Sequence, residues 1–257
     1  MILKTAKLGK SFGGLAAVQD VDMTIEQGKI TAIIGPNGAG KTTLFNLLSG
    51  FYKPSSGRIE FLGEDITHLP VHEVARRGIA RTFQATHLFQ RQTCLDNLIV
   101  GHRLRTRVNV WDALFRTPRH RRELRKCVER AFAAMEFAGI SKLAHKPVGA
   151  ISQEQQKRLS IALALVTEPK LLLLDEIAGG VNPEETAGLG ELIGKIVKSG
   201  ITVCFIEHKM QMVMNLADHI VVLNHGCKIA EGPPADVSRN KAVIEAYLGG
   251  ETNAHAT

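Results

Sequence analysis

A buried-strand run from Lys29 to Ile34 passes without a break into Gly35-Pro36-Asn37-Gly38-Ala39-Gly40-Lys41-Thr42-Thr43, and Leu44, Leu47 and Leu48 then follow at helical spacing. Strand, glycine-rich loop and helix in that order leave few folds open. The loop fits GxxxxGK[ST] and sits where its chemistry needs it. Glycines let successive backbone N–H groups turn inward around phosphate oxygens, and the helix N-terminus adds roughly half a positive charge at the same point. In that arrangement Lys41 reaches the β- and γ-phosphates, and the Thr42 hydroxyl binds Mg²⁺. The bland alternative is a glycine-rich turn with no ligand, and the flanking strand and helix weigh against it.

The rest of the chain alternates between two apolar periods, the mark of an α/β domain. Val21, Met23 and Ile25 are spaced by two, as in a half-buried strand. Leu171–Leu174 and Thr202–Ile206 read as buried strands, each followed by polar residues and a helical stretch. That order predicts a parallel sheet with its chemistry at the carboxyl ends of the strands. Ile220–Leu223 and Cys227–Ala230 flank Asn224-His225-Gly226, a hairpin signal. Residues 96–148 are helical in pattern, basic and poor in strand signals, and read as a helical subdomain inserted into the core. The core is then 1–95 and 149–249, and the last residues, 250–257, read as a frayed tail.

The chain has 257 residues and 44% apolar content, enough for one large domain with a subdomain. No apolar stretch approaches the ~18 residues of a membrane span, and the start lacks an export-signal pattern. Cys94, Cys127, Cys204 and Cys227 form no CxxC pair, so reduced intracellular thiols are expected. The net charge of +7 is local. Between Arg103 and Lys126 nine basic residues face Asp112 and Glu123, an excess equal to that of the whole chain. Val108, Trp111, Leu114 and Phe115 lie among these arginines. One reading is an amphipathic element at an anionic lipid surface. The favoured reading is an ordinary helical subdomain whose aromatic stripe is core, and nucleic-acid binding is disfavoured.

A second chemical element is Leu171-Leu172-Leu173-Leu174-Asp175-Glu176, a buried strand whose tip delivers two carboxylates. Asp175 would hold Mg²⁺ and Glu176 would polarise an attacking water. Alone, LLLLDE is a weak signal; paired with the phosphate loop it becomes strong. His208, after the strand Thr202–Ile206, and Gln84, in Arg81-Thr82-Phe83-Gln84, are anonymous by themselves.

Taken in order, these elements resemble the nucleotide-binding subunit of an ATP-binding cassette (ABC) transporter, from about residue 3 to 249. The family sequence of aromatic loop, Walker A, Q-loop, signature helix, Walker B, D-loop and switch histidine is matched by Phe12, Gly35–Thr43, Gln84, Ile151–Gln155, Leu171–Glu176, Val181–Pro183 and His208. The resemblance implies a P-loop NTPase with a mixed core sheet, an N-terminal antiparallel β-subdomain and the helical insertion. It implies that Phe12 stacks on adenine, and that Gln84 senses Mg²⁺ and couples to the membrane subunits. It also implies that Glu176 is the catalytic carboxylate, that His208 stabilises the γ-phosphate, and that Ser152 and Gln155 contact ATP held by a partner subunit. FGGLAAV, IGPNGAGKTTLFNLLSGFYKPSSG, ARTFQ and the closing AYLGG are similar to the branched-chain amino-acid importer branch. For that branch the expected partners are integral membrane permeases, a second ATPase subunit in a heterodimer and, indirectly, a periplasmic binding protein. The expected location is the inner face of the cell membrane. Urea, amide or lipopolysaccharide-export ATPases share many of these strings. A soluble ABC ATPase of repair or translation is disfavoured by the absence of long insertions, and a GTPase by the absence of an NKxD motif.

Two positions depart from the family pattern. The signature reads Ile151-Ser152-Gln153-Glu154-Gln155, with Glu154 where a second glycine is usual. Facing a partner's γ-phosphate, such a carboxylate would be repelled by about 4 kcal/mol at ~4 Å and an effective dielectric of ~20. Solvated at the helix start, it would instead suit the helix dipole. If it faces the phosphate, the site on the partner's Walker A is the weaker of two unequal sites. The other departure is Ile177, which replaces a proline that would restrict the turn after Glu176; a modest effect on Glu176 is expected. Asn182 stands in place of the usual D-loop aspartate.

Overall fold

The computed structural model describes residues 1–82, 88–103 and 118–252. Strands β1 (Leu3–Phe12), β2 (Leu15–Ile25), β4 (Ser56–Phe61) and β5 (Glu64–Asp65) form an antiparallel sheet in the order β2-β1-β4-β5. A six-stranded sheet runs β10 (Cys227–Gly232), β9 (His219–Asn224), β3 (Ile30–Ile34), β8 (Thr202–Ile206), β7 (Leu171–Asp175), β6 (Ile79–Arg81). Its pairings are parallel except β9 with β10, so the sheet is mixed, as expected.

Sequence period explains the layers. β3, β7 and β8 are buried at every position, so both faces of this sheet are covered. On one side α1 (Lys41–Leu48) packs Leu44, Phe45, Leu47 and Leu48 into a cluster shared with both sheets. On the other side a larger cluster joins the sheet to α3 (Cys94–Arg103), α4 (Pro118–Phe137), α5 (Gln153–Leu165) and α6 (Pro183–Lys198). The remaining helices are α2 (Val71–Arg77), α7 (Met210–Leu216), α8 (Pro234–Val237) and α9 (Lys241–Thr252).

The β9–β10 hairpin forms as expected, with His225 and Gly226 both at positive φ (47° and 80°) in a two-residue loop. At the chain's end the outcome differs from the sequence reading. α9 continues to Thr252, so residues 250–252 are helical rather than tail. The helical insertion is populated by α3, α4 and short 3₁₀ turns at Ser141–Leu143 and Val148–Ala150. Most of the basic segment, Trp111 and Phe115 included, lies outside the described residues. No described helix is long and apolar enough to cross a membrane. The cysteines form no disulfide among the described residues.

Register positions the site. β3 pairs Ile33 with Ile206 of β8 and Ile34 with Val222 of β9, while β7 pairs Asp175 with Ile206. The segments that follow these strands, 35–43, 176, 207–208 and 225–226, therefore emerge side by side at one edge.

Candidate active site

At that edge lies a cleft of about 470 Å³, lined by Leu15–Ala17, Gln19, Asn37–Thr43, Glu176, His208, His225 and Gly226. The glycine-rich loop forms its floor. Gly40 stands at φ 96° as the residue before α1, and a Cβ there would strike the Ala17 carbonyl oxygen. Only glycine permits both the angle and the approach. No acidic side chain occupies the first turn of α1, which keeps the positive end of the helix facing the cleft. Lys41 is buried, and its Nζ donates to the Gly35 and Pro36 carbonyls at 2.8 Å each. Desolvation pulls its pKa below the usual lysine value, against the opposing pull of Glu176 and Asp175.

The two carboxylates at the tip of β7 have different surroundings. Asp175 is buried and paired with Arg81, whose Nη2 donates to its Oδ2 at 2.6 Å; Arg81 Nη1 donates to Asn46 on α1 at 2.5 Å. The parallel register accounts for the pairing: Arg81 lies opposite Leu173, and Asp175, two residues on, faces the same way. Arg81 Nε is buried without a partner among the described residues. Removing one member of such a buried pair leaves the other charge uncompensated. Arg81→Met is therefore expected to lower folding stability by about 3 kcal/mol, read as a reduced urea midpoint at unchanged slope.

Glu176 and His208 are both partly exposed, and His208 Nε2 lies 3.0 Å from Glu176 Oε1. A carboxylate only accepts, so in this pairing Nε2 carries the hydrogen. Glu176 has φ 46°, uncommon for a residue with a side chain, and its N–H donates to the Ile206 carbonyl at 3.0 Å. Thr42 and Glu176, in the cleft lining, and Asp175, behind it and paired with Arg81, are hard oxygen donors of the type Mg²⁺ takes alongside phosphate oxygens. Among the described residues no three His, Cys, Asp or Glu side chains cluster as a self-sufficient metal site.

Several expected residues lie elsewhere. Ser152 and Gln155 are not in this cleft. They form a capping box at the start of α5: Ser152 Oγ accepts from Gln155 N–H at 3.2 Å, and Gln155 Oε1 accepts from Ser152 N–H at 3.1 Å. Glu154 neither projects from the helix start into solvent nor stands uncompensated, because its carboxylate is ion-paired with Arg158 one turn on, both largely buried. Arg158 Nη1 also donates to the Ala138 carbonyl at 3.1 Å, tying Glu154 towards the end of α4. A carboxylate neutralised in this way exerts little repulsion on a phosphate. Glu154→Gly is accordingly expected to leave ATP turnover of an assembled complex within about twofold. A rise of tenfold or more would mean that the charge faces the reacting nucleotide. Phe12 sits at the tip of β1, exposed and outside the cleft lining, with its ring 5.3 Å from that of Tyr52 and Lys10 Nζ 5.1 Å from its centroid. Gln84 lies outside the described residues.

Sequence reasoning overlooked Gln19 and His225, which reach the cleft because Gly226 N–H donates to the Ala39 carbonyl and Gln19 N–H to the Gly226 carbonyl. No local pattern marks either one. It also overlooked Arg81, whose only signal was a cation ending a short apolar strand.

The family described as ABC transporter matches residues 18–179, and the family described as branched-chain amino acid ATP-binding cassette transporter matches residues 227–252. The chain is 44% identical over 249 residues to the high-affinity branched-chain amino acid transport ATP-binding protein BraF of Pseudomonas aeruginosa, covering 96% of this chain and 98% of that protein. It is 40% identical over 249 residues to LivG of Escherichia coli, a protein of the same description, with the same coverage. Among solved structures, a nucleotide-free ATP-binding cassette from an ABC transporter superposes with a TM-score of 0.86 at 34% identity, covering 96% of this chain and 98% of that one. An ATP-binding cassette solved in its ADP conformation superposes with a TM-score of 0.84, also at 34% identity, with the same coverage.

Proposed function

The chain belongs to the ABC transporter family as an ATP-binding, ATP-hydrolysing subunit that works with membrane permeases, and on that premise we propose that it powers import of branched-chain amino acids. The observation that carries the catalytic reading is the meeting, in one cleft, of the glycine-rich loop with the Glu176–His208 pair. The backbone N–H groups of residues 38–43 and Lys41 bind the triphosphate. Thr42 and Asp175, with Gln84, would hold Mg²⁺, which when bound would supply positive charge against the charge that develops on the phosphates. Glu176 accepts the proton of the attacking water, and His208 steadies both that carboxylate and the γ-phosphate. Phe12, exposed at the tip of β1 outside the cleft lining, would stack on an adenine that extends beyond the cleft.

Ser152 and Gln155 complete a second site, on ATP bound by a partner ATPase subunit, with the capping box presenting a helix N-terminus to its γ-phosphate. A heterodimer is the favoured assembly. Closure around ATP moves the permeases between inward- and outward-facing states, at the inner face of the membrane, and a periplasmic binding protein delivers the cargo. The cargo assignment is supported by BraF and LivG and by the match over residues 227–252.

The test is reconstitution of this subunit with its permeases, companion ATPase and binding protein in vesicles. ATP-dependent uptake of labelled leucine, isoleucine or valine is expected. Uptake of urea or short amides in their place would overturn the cargo assignment while leaving the motor assignment intact.

A further inference from the structure

The turn that carries Glu176 lacks the proline that would stiffen it; Ile177 follows, and Gly179 and Gly180 come soon after. Glu176 nonetheless holds a left-handed backbone conformation, which persists only where surrounding structure over-determines it. Within the turn only a long bond, from the Gly179 N–H to the Glu176 carbonyl at 3.4 Å, holds it, and shorter bonds come from outside. Lys157 Nζ on α5 donates to the Glu176 carbonyl at 3.0 Å, and Lys209 Nζ donates to the Val181 carbonyl at 2.8 Å. The central contact is made by Glu207, a carboxylate only 3% exposed. Its Oε1 accepts the Ala178 N–H at 2.5 Å and its Oε2 accepts the His208 N–H at 3.0 Å.

Each oxygen of Glu207 thus grips one side of the catalytic pair. One holds the turn two residues beyond Glu176, and the other holds the backbone of His208. Glu207 does not line the cleft, and among the described residues that do, its carboxylate hydrogen-bonds only to His208. A carboxylate so deeply buried is retained only when its lone pairs are met by donors and its charge by a cation. The two amides supply the former. The nearby cation is Lys157, whose Nζ bonds the Glu176 carbonyl at 3.0 Å; desolvation pulls its pKa below the usual lysine value, and the Glu207 charge opposes that pull.

We propose that Glu207 is a positioning residue for hydrolysis, setting the Glu176–His208 distance in place of the rigidity a proline at position 177 would give. This rests on the catalytic reading of Glu176 and His208 above. Glutamine at 207 keeps the shape but offers one oxygen and one NH₂, so it meets one amide and opposes the other. Aspartate keeps the charge but is one methylene short of spanning both.

The experiment compares Glu207→Gln, Glu207→Asp, Glu176→Gln and the double variant Glu176→Gln/Glu207→Gln in the assembled transporter. It measures kcat, KM for ATP, nucleotide affinity and amide exchange at Ala178. Misplacement of a reacting group by about 1 Å costs on the order of 10²-fold in rate. Both single Glu207 variants are therefore expected to lose roughly 10- to 100-fold in kcat, with KM and nucleotide affinity within about threefold and Ala178 exchange accelerated. The double variant should be no slower than Glu176→Gln alone, because Glu207 acts only through that pair. If both Glu207 variants keep wild-type kcat, or if the two losses multiply in the double variant, the proposal is wrong. If Glu176→Gln itself turns over normally, it is the catalytic reading that fails.

Discussion

Glu176→Gln is expected to slow ATP hydrolysis by roughly 10²- to 10⁴-fold, the usual contribution of a general base, while nucleotide affinity stays within a few-fold. The substitution is nearly isosteric, and the glutamine oxygen can still accept from His208 Nε2, so the 3.0 Å pairing survives. What is lost is the proton-accepting charge. In the proposed mechanism the loop backbone and Lys41 bind phosphate, and the Lys41 hydrogen bonds go to the Gly35 and Pro36 carbonyls rather than to residue 176. Steady-state turnover and fluorescent-nucleotide titration on the same preparation separate the two effects. A variant that loses affinity and rate in equal measure would place Glu176 in ground-state binding instead.

The second large effect is expected at Gly40. Valine there must adopt φ near 96°, which L side chains avoid, and its Cβ would run into the Ala17 carbonyl on β2. The loop has no room to yield, because Ala39 is itself tied to the hairpin through the Gly226 N–H. The N–H groups at the start of α1 are then turned away from the phosphates. Affinity for ATP should fall by about 100-fold or more, near 2.7 kcal/mol. Unfolding monitored by circular dichroism should remain cooperative, since the buried face of α1 (Leu44, Phe45, Leu47 and Leu48) is untouched.

The parts of this site that were legible in the sequence are those whose signal is local. Lys29 to Thr43 announces a strand, a phosphate loop and a helix because the backbone requirements fall within a few consecutive residues. Leu171–Asp175 is readable because burial on both faces forces an unbroken apolar run, and His225-Gly226 because a two-residue hairpin demands positive φ. Contacts made across the sheet were not legible. Arg81 and Asp175 are 94 residues apart and meet only through the β6–β7 register. Glu207 reaches Ala178 by the adjacency of β8 and β7. The Glu154–Arg158 pair has helical spacing and is legible in the sequence, yet it is neither of the two expectations for Glu154, a carboxylate facing a phosphate or one solvated at the helix start. The end of the chain departs from the expectation that a terminus frays, because α9 continues through Gly249 and Gly250 to Thr252.

Equilibrium titration of the purified subunit, with its companion ATPase present, by Mg·ATP against the Gly40→Val variant tests the core of the account most directly. Saturable binding by the native chain, weakened about 100-fold by the substitution, is the predicted result. Indistinguishable curves for the two proteins, or no uptake of Mg·ATP by the native chain, would contradict it.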